Sequence, residues 1–412
     1  MYKTKFRYFK NTLLILVIPL LSCGKKTVST KTTSQIELNI NQVEPKDSIY
    51  TGAQQTERYL NLLKDKQIAI VSNPTSVIFN KERKAIHLVD TLQSHDINIK
   101  KVFAPEHGFR GTADAGEVIK DGIDIKSGLP IISLYGKNKK PNDKMLEGLD
   151  LVIFDIQDVG ARFYTYISTL HYVMEACAEA DIPILILDRP NPNGHYVDGP
   201  VLDLKYKSFV GLHPIPIVHG MTIGEYAQMI NGEKWLANGV MCDIEIINLK
   251  NYTHNTPYSL PIKPSPNLPN DIAINLYPSL CLFEGTKISV GRGTDMQFQI
   301  YGSPELPKKD FKFTPKPNLG AHNPKFNNKL CYGTDLREIN TQKKLNFTWI
   351  LNAYKSIDNK TTFFNSFFNK LAGNATLQNQ IKQGLSINEI EASWKKDLDA
   401  FKITRKNYLL YP

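Results

Sequence analysis

The densest run of groups able to do chemistry is APEHGFRGTADAGE at 104–117, which carries Glu106, His107, Arg110, Asp114 and Glu117. Glycosidic cleavage needs a proton donor on the leaving oxygen, and usually a second carboxylate or an internal nucleophile. Glu106 suits the first role, and a structural ion pair with Arg110 is its plain alternative. A Glu-His pair has no recognised metal-ligand spacing, so His107 points to no metal site. It reads as a catalytic neighbour or as a histidine bonding a backbone carbonyl. A second run, DIQDVGARFYTYIST at 155–169, offers Asp155 and Asp158, with Arg162 able to grip a carboxylate bidentately. Tyr164 and Tyr166 could stack on sugar faces or pack beneath the loop. Glu284, in FEGT at 283–286, is a further candidate carboxylate.

These residues need elements to position them. Short apolar runs at Gln67–Ser72, Ile97–Phe103, Pro130–Leu134, Leu149–Phe154 and Ile182–Leu187 predict strands. Between them lie helical patterns, one through Ile86, Val89 and Leu92 and another over Tyr166–Ala180. Alternating strands and helices argue for a parallel sheet covered on both faces. Each run ends in polar, Gly- or Pro-bearing residues: Asn73, then Glu106 and His107, then Asp155 to Asp158, then Arg189 and Asn191. Ligands of open α/β sheets bind at that strand edge, so these loops converge on one predicted site. Thr222 to Glu225 spells a capping box opening a helix to about Asn231, and Met241–Ile247 alternates like a strand. Prolines 257, 261, 264, 266 and 269 then break regular structure. A domain boundary is expected there, giving 47–260 and 261–412. The last 40 residues read as packed helix.

The formal charge is +10 over 412 residues, with 42% hydrophobic and 22% charged side chains. No basic run or nucleic-acid motif accompanies that charge, so no nucleic-acid partner is expected. Lys3, Lys5, Arg7 and Lys10 precede the apolar run Leu13–Leu21, which is short for a membrane span. Residues 1–22 therefore read as a secretory signal. Leu20-Leu21-Ser22-Cys23 resembles a bacterial lipobox, so Cys23 is the expected lipidation site and 23–46 a flexible tether. The chain is then an exported lipoprotein, anchored to a membrane and facing the periplasm. Cys177, Cys242, Cys281 and Cys331 lack CxxC spacing. Cys177 is expected to pack as a small hydrophobe, and a disulfide between two of the others is open.

Gly291-Arg292-Gly293 lacks the third glycine and the strand-to-helix setting of a dinucleotide loop. No Walker A loop and no Gly-x-Ser-x-Gly elbow is present. The stretches APEHGFRGTADAGE, SLYG at 133–136, FDIQDVGARFYTYIST at 154–169, LDRPNPNG at 187–194, PIPIVHGMTIGE at 214–225, PSPNLP at 264–269, YPSLCLFEGT at 277–286 and GRGT at 291–294 resemble the NamZ-type exo-β-N-acetylmuramidases. The resemblance runs from about residue 55 to 412. It implies an α/β fold, with a Rossmann-like parallel-sheet N-terminal domain and a smaller α+β C-terminal domain. It implies release of terminal N-acetylmuramic acid from peptidoglycan-derived muropeptides or disaccharides, without cofactor or metal. Carried onto this chain, it makes Glu106 the leading catalytic residue, with Glu284 second and His107 and Asp158 beside them. Asn73, Arg110, Glu117, Arg162, Tyr164, Tyr166, Arg189, Asn191 and His219 form the expected substrate-binding set. Asp198 stands where the family pattern has Glu before Gly-Pro, and Gln299 where it has a carboxylate after GRGT. The competing readings are a non-catalytic wall-sugar-binding lipoprotein and a hydrolase acting on acyl groups of sugars. The absence of a serine elbow disfavours the latter.

Overall fold

The runs IAIVS, LVIFD and ILIL bury every residue, as strands covered on both faces must. They form the middle of a seven-stranded sheet in a computed structural model that describes residues 48–80, 82–110 and 121–412. In chain order the strands are β1 (Ile68–Ser72), β2 (Val77–Phe79), β3 (Ala85–His87), β4 (Ile99–Ala104), β5 (Gly122–Ile123), β6 (Pro130–Ser133), β7 (Leu151–Asp155), β8 (Ile184–Leu187) and β9 (Ile244–Ile247). The large sheet runs β5-β6-β4-β1-β7-β8-β9, parallel except for β5, which pairs antiparallel with β6. Without that edge strand, the chain leaves β1 first towards β4 and β6, then returns to lay β7, β8 and β9 on the other side. This is the doubly wound order, and its reversal falls between β1 and β7.

Alternation along the strands divides the core. Ala69, Val71, Val152, Phe154, Ile184 and Ile186 face one way, onto Leu170, Val173 and Met174 of the Tyr166–Glu179 helix. Ile68, Ile70, Leu151, Ile153 and Leu185 face the other way, onto Tyr59 and Leu63 of Thr56–Leu63 and Leu88 and Leu92 of Leu88–Gln93. The first cluster continues through Tyr277, Phe283, Phe298, Phe347 and Trp394, so one apolar core joins the sheet to the C-terminal half. That half adds a small antiparallel sheet of β10 (Ile300–Ser303), β11 (Lys312–Phe313) and β12 (Cys331–Asp335), with β12 in the middle.

The helix expected through Ile86 begins only at Leu88. Ile86 instead pairs with Ile78 in the β2–β3 hairpin. His87 ends that hairpin and caps the helix, its Nδ1 accepting from the Val89 N–H at 3.2 Å. The Ile223–Gly232 helix opens on the expected capping box, Thr222 with Glu225. All four described cysteines are free buried thiols, so no disulfide forms among the described residues. Burial in apolar surroundings pushes the Cys242 and Cys331 thiols up to about 12, which keeps them inert. No described helix is long and apolar enough to cross a membrane.

Candidate active site

Glu106 follows β4 at the carboxyl edge of the sheet, in the turn Pro105–Gly108 that is closed by Gly108 N–H to Pro105 O at 3.0 Å. His107 takes φ +70°, a left-handed conformation that a non-glycine residue adopts at a cost. The turn thereby aims Glu106 into a cleft of about 450 Å³ that His107 also lines. Thr165 Oγ1 donates to Glu106 Oε2 at 2.7 Å, and the Tyr166 phenol donates to the Glu106 carbonyl at 3.3 Å. Tyr135, after β6, hydrogen bonds the same carboxylate. Burial, then the Glu106 charge, raises the Tyr135 phenol well above its ordinary range, so it remains a donor.

The far wall comes from the C-terminal half. Glu284 sits in the single turn Cys281–Gly285 after the Asp271–Leu280 helix. It accepts from Arg292 Nε at 3.0 Å. Lys325 clamps this segment, its ammonium donating to the carbonyls of Phe283 at 3.3 Å, Thr286 at 2.7 Å and Ile288 at 2.9 Å. Arg292 lies between Gly291 and Gly293, at φ +79° and +80°, in a backbone shape that favours glycine. Its guanidinium rests 4.9 Å from the Phe298 ring centroid and lines the cleft about a quarter exposed (23%). Both Nη groups lack a protein partner among the described residues. Asn267 is buried on the same lining. Its amide donates to Gly320 O at 2.7 Å, while its Oδ1 has no partner among the described residues. The lining therefore combines a positioned carboxyl, a fixed cation and an unfilled amide acceptor.

Of the expected residues, the cleft gathers Glu106, His107, Tyr164 and Glu284. The other described ones are held away from it by their surroundings. Arg162 grips no ligand. It is fully buried, and its guanidinium donates to the carbonyls of Pro200 and Ile215 at 2.8 Å each and Leu371 at 2.9 Å. Gly373 leaves room for it, since a Cβ there would lie 2.6 Å from Arg162 Nη2. Arg110 turns away to Asp124, with contacts at 3.1 and 2.7 Å, and to Asp90 at 3.2 Å. The Arg110 hydrogen bonds, and after them those from Ser127, hold the Asp124 carboxyl far below the usual range. Arg189 forms a buried fork with Asp155 at 2.6 and 2.9 Å, tying the ends of β7 and β8. Asn73 and Asn191 are buried loop staples, accepting from Thr75 N–H at 2.9 Å and Asn193 N–H at 2.8 Å. Asp158 is buried, accepts from Gly160 N–H at 2.7 Å and faces His219 at 3.5 Å. His219 is itself sealed, its Nδ1 accepting from Met221 N–H at 3.2 Å, so its proton sits on Nε2 towards Asp158. Tyr166 lies under the site and holds the Glu106 backbone rather than a sugar. Glu117 and Cys23 lie outside the described residues.

Sequence reasoning missed Arg292, Tyr135, Thr165 and Asn267. The flanking glycines were a readable sign for Arg292, because two left-handed positions around one arginine fix where it points.

Residues 68–272 match the N-terminal profile of a family described as exo-beta-N-acetylmuramidase NamZ, and 275–411 match its C-terminal profile. The chain belongs to that family. It is a homologue of the peptidoglycan beta-N-acetylmuramidase NamZ of Bacillus subtilis (strain 168), a glycoside hydrolase. The two are 38% identical over 394 residues, which is 90% of this chain and 93% of the relative. Two crystal structures of DUF1343 family proteins from Bacteroides fragilis NCTC 9343 share the fold. One is 50% identical with a TM-score of 0.81, covering 88% of this chain and 99% of its own. The other is 26% identical with a TM-score of 0.76, covering 89% and 100%.

Proposed function

We propose that this chain is an exo-β-N-acetylmuramidase that releases terminal N-acetylmuramic acid from the non-reducing end of peptidoglycan fragments, with Glu106 as the general acid. The observation that carries this reading is one cleft holding both Glu106 and the Arg292–Glu284 pair. A sugar hydroxyl leaves poorly without a proton, and an acid held by Thr165 and Tyr135 supplies it. Muramic acid differs from glucosamine by a lactyl ether bearing a carboxylate. The two unpartnered Nη groups of Arg292 suit that carboxylate, and the Asn267 Oδ1 suits an acetamido N–H.

The candidates for a second catalytic carboxylate are engaged elsewhere: Glu284 is bound to Arg292, and Asp158 is turned into the core. This supports attack by the substrate's own acetamido group. A trifluoroacetamido substrate should then react far more slowly, and equal rates would exclude that route. The exo reading is tested with a tetrasaccharide beginning in N-acetylmuramic acid. Free N-acetylmuramic acid is the expected first product, and a disaccharide as first product would contradict it. The basic head, the apolar run Leu13–Leu21 and the Leu20–Cys23 box support export and lipidation at Cys23.

A further inference from the structure

Ser208 and Gly211 exchange both backbone hydrogen bonds at 2.9 Å and close a tight turn whose tip is Phe209-Val210. Such tips favour Gly, Asn and Asp, which tolerate the turn's backbone angles and hydrogen-bond the local backbone. Here the tip carries two apolar side chains, and both line the cleft. The Phe209 ring is braced by Tyr172 of the Tyr166–Glu179 helix, stacked at 6.3 Å and 16° between planes. Tyr135, the phenol bonded to Glu106, leans on it at 6.0 Å. The Lys139 ammonium hovers 4.8 Å from its centroid. An aromatic ring is thus held in place one side chain away from the carboxyl that must reach the glycosidic oxygen.

We infer that Phe209, with Tyr135 and Lys139, is the platform for the leaving-group sugar, the residue on the reducing side of the scissile bond. This rests on the reading of Glu106 as the acid. The two sugars joined by the scissile oxygen must flank Glu106. The cation and the unfilled amide acceptor suited to the acidic sugar lie on the Arg292 and Asn267 wall, which leaves the Phe209 wall for its neighbour. That neighbour is a neutral 2-acetamido sugar, whose axial C–H face packs on a flat ring and whose hydroxyls can accept from an ammonium. The Lys139 contact is a weak one at a half-exposed site and is readily given up to a ligand.

The test compares two substrates: the N-acetylmuramyl-N-acetylglucosamine disaccharide, and N-acetyl-β-muramyl fluoride, whose leaving atom fills no such subsite. Phe209→Ala should raise KM for the disaccharide about tenfold, because the sugar no longer buries apolar surface against a ring, with a smaller change in kcat. Its kinetics on the fluoride should stay within about twofold of the parent enzyme. Phe209→Tyr should restore the disaccharide KM, and Lys139→Met should show a smaller selective rise. Fluoride turnover also reports an intact fold. If Phe209→Ala loses it, Phe209→Leu, which keeps the bulk without the flat face, must show the selective loss. An unchanged disaccharide KM, or an equal loss on both substrates, overturns the inference. Failure of the acid reading is separable, because Glu106→Gln acts on disaccharide kcat and not on this KM difference.

Discussion

Replacing Arg292 by Met removes the one guanidinium that the cleft wall presents with unpartnered donors among the described residues. A charge-assisted hydrogen bond contributes about 1.5–3 kcal/mol, and about 1.4 kcal/mol corresponds to tenfold. Transition-state binding of a muramyl substrate should therefore fall by about 10- to 150-fold. The 3.0 Å pair with Glu284 is only about a quarter exposed on each side, so its loss leaves a largely buried carboxylate unpaired and lowers stability as well. The freed Glu284 would also repel the lactyl carboxylate and lower the muramyl preference further. Arg292→Lys keeps the charge but not the fork, and should fall between parent and Met variant. The assay is kcat/KM for N-acetylmuramyl-N-acetylglucosamine divided by that for the corresponding diacetylchitobiose. The ratio should drop at least about tenfold in Arg292→Met. Because both values scale with the folded fraction, an unchanged ratio would refute the assignment of the lactyl group to Arg292.

Arg162→Met should instead act on stability. It strips the donor from three buried carbonyls and should cost about 3–5 kcal/mol, read as a lower urea midpoint with the muramyl preference intact; a lost preference with intact stability would return Arg162 to the site. Acid should destabilise the fold between pH 6.5 and 4, because burial first of all holds His87 and His171 down at about 4 and also holds His213 well below its ordinary value. The unfolded chain then binds more protons in that window, so stability falls as pH falls. Asp188, pushed up to about 6 by burial, opposes this below about 6, and Asp155 and Asp198, whose carboxyls burial also raises, act in the same direction. The thermal midpoint should therefore drop from pH 7 to 5, and a flat or rising profile would contradict the balance. Cys23→Ser should move the protein out of the membrane fraction and abolish acylation, whereas unchanged mass and retention would rule out lipidation there.

The sheet was legible because β1, β7 and β8 are unbroken aliphatic runs whose residues are all buried. The position of Glu106 was legible because it comes two residues after β4, whose Val102–Ala104 end is buried. The small antiparallel sheet was not, because Gly302 and Gly333 interrupt the alternation of β10 and β12. The Asp271–Leu280 helix was hidden by Pro278 inside it and by the proline-rich approach. Most of the expected substrate-binding residues lie away from the cleft for a different reason. A polar residue at a strand end serves either a ligand or the loop itself, and composition does not separate the two. Asn73, Asn191 and Arg189 satisfy turns and a buried carboxylate. Arg162 and Arg292 look alike in sequence. One packs among carbonyls brought from three distant segments, and the other is held at a cleft wall.

The most direct measurement is the turnover of Glu106→Gln on two substrates that differ only in leaving group. Gln keeps the shape and the contact with Thr165 but has no proton to give. On N-acetylmuramyl-N-acetylglucosamine the variant should bind normally and turn over at least about 100-fold more slowly, the usual contribution of general acid catalysis. On an aryl muramide, whose phenolate leaves with little help, the loss should be much smaller. Near-parental turnover of the disaccharide would place the acid elsewhere, and an equal loss on both substrates would make Glu106 a base or nucleophile instead.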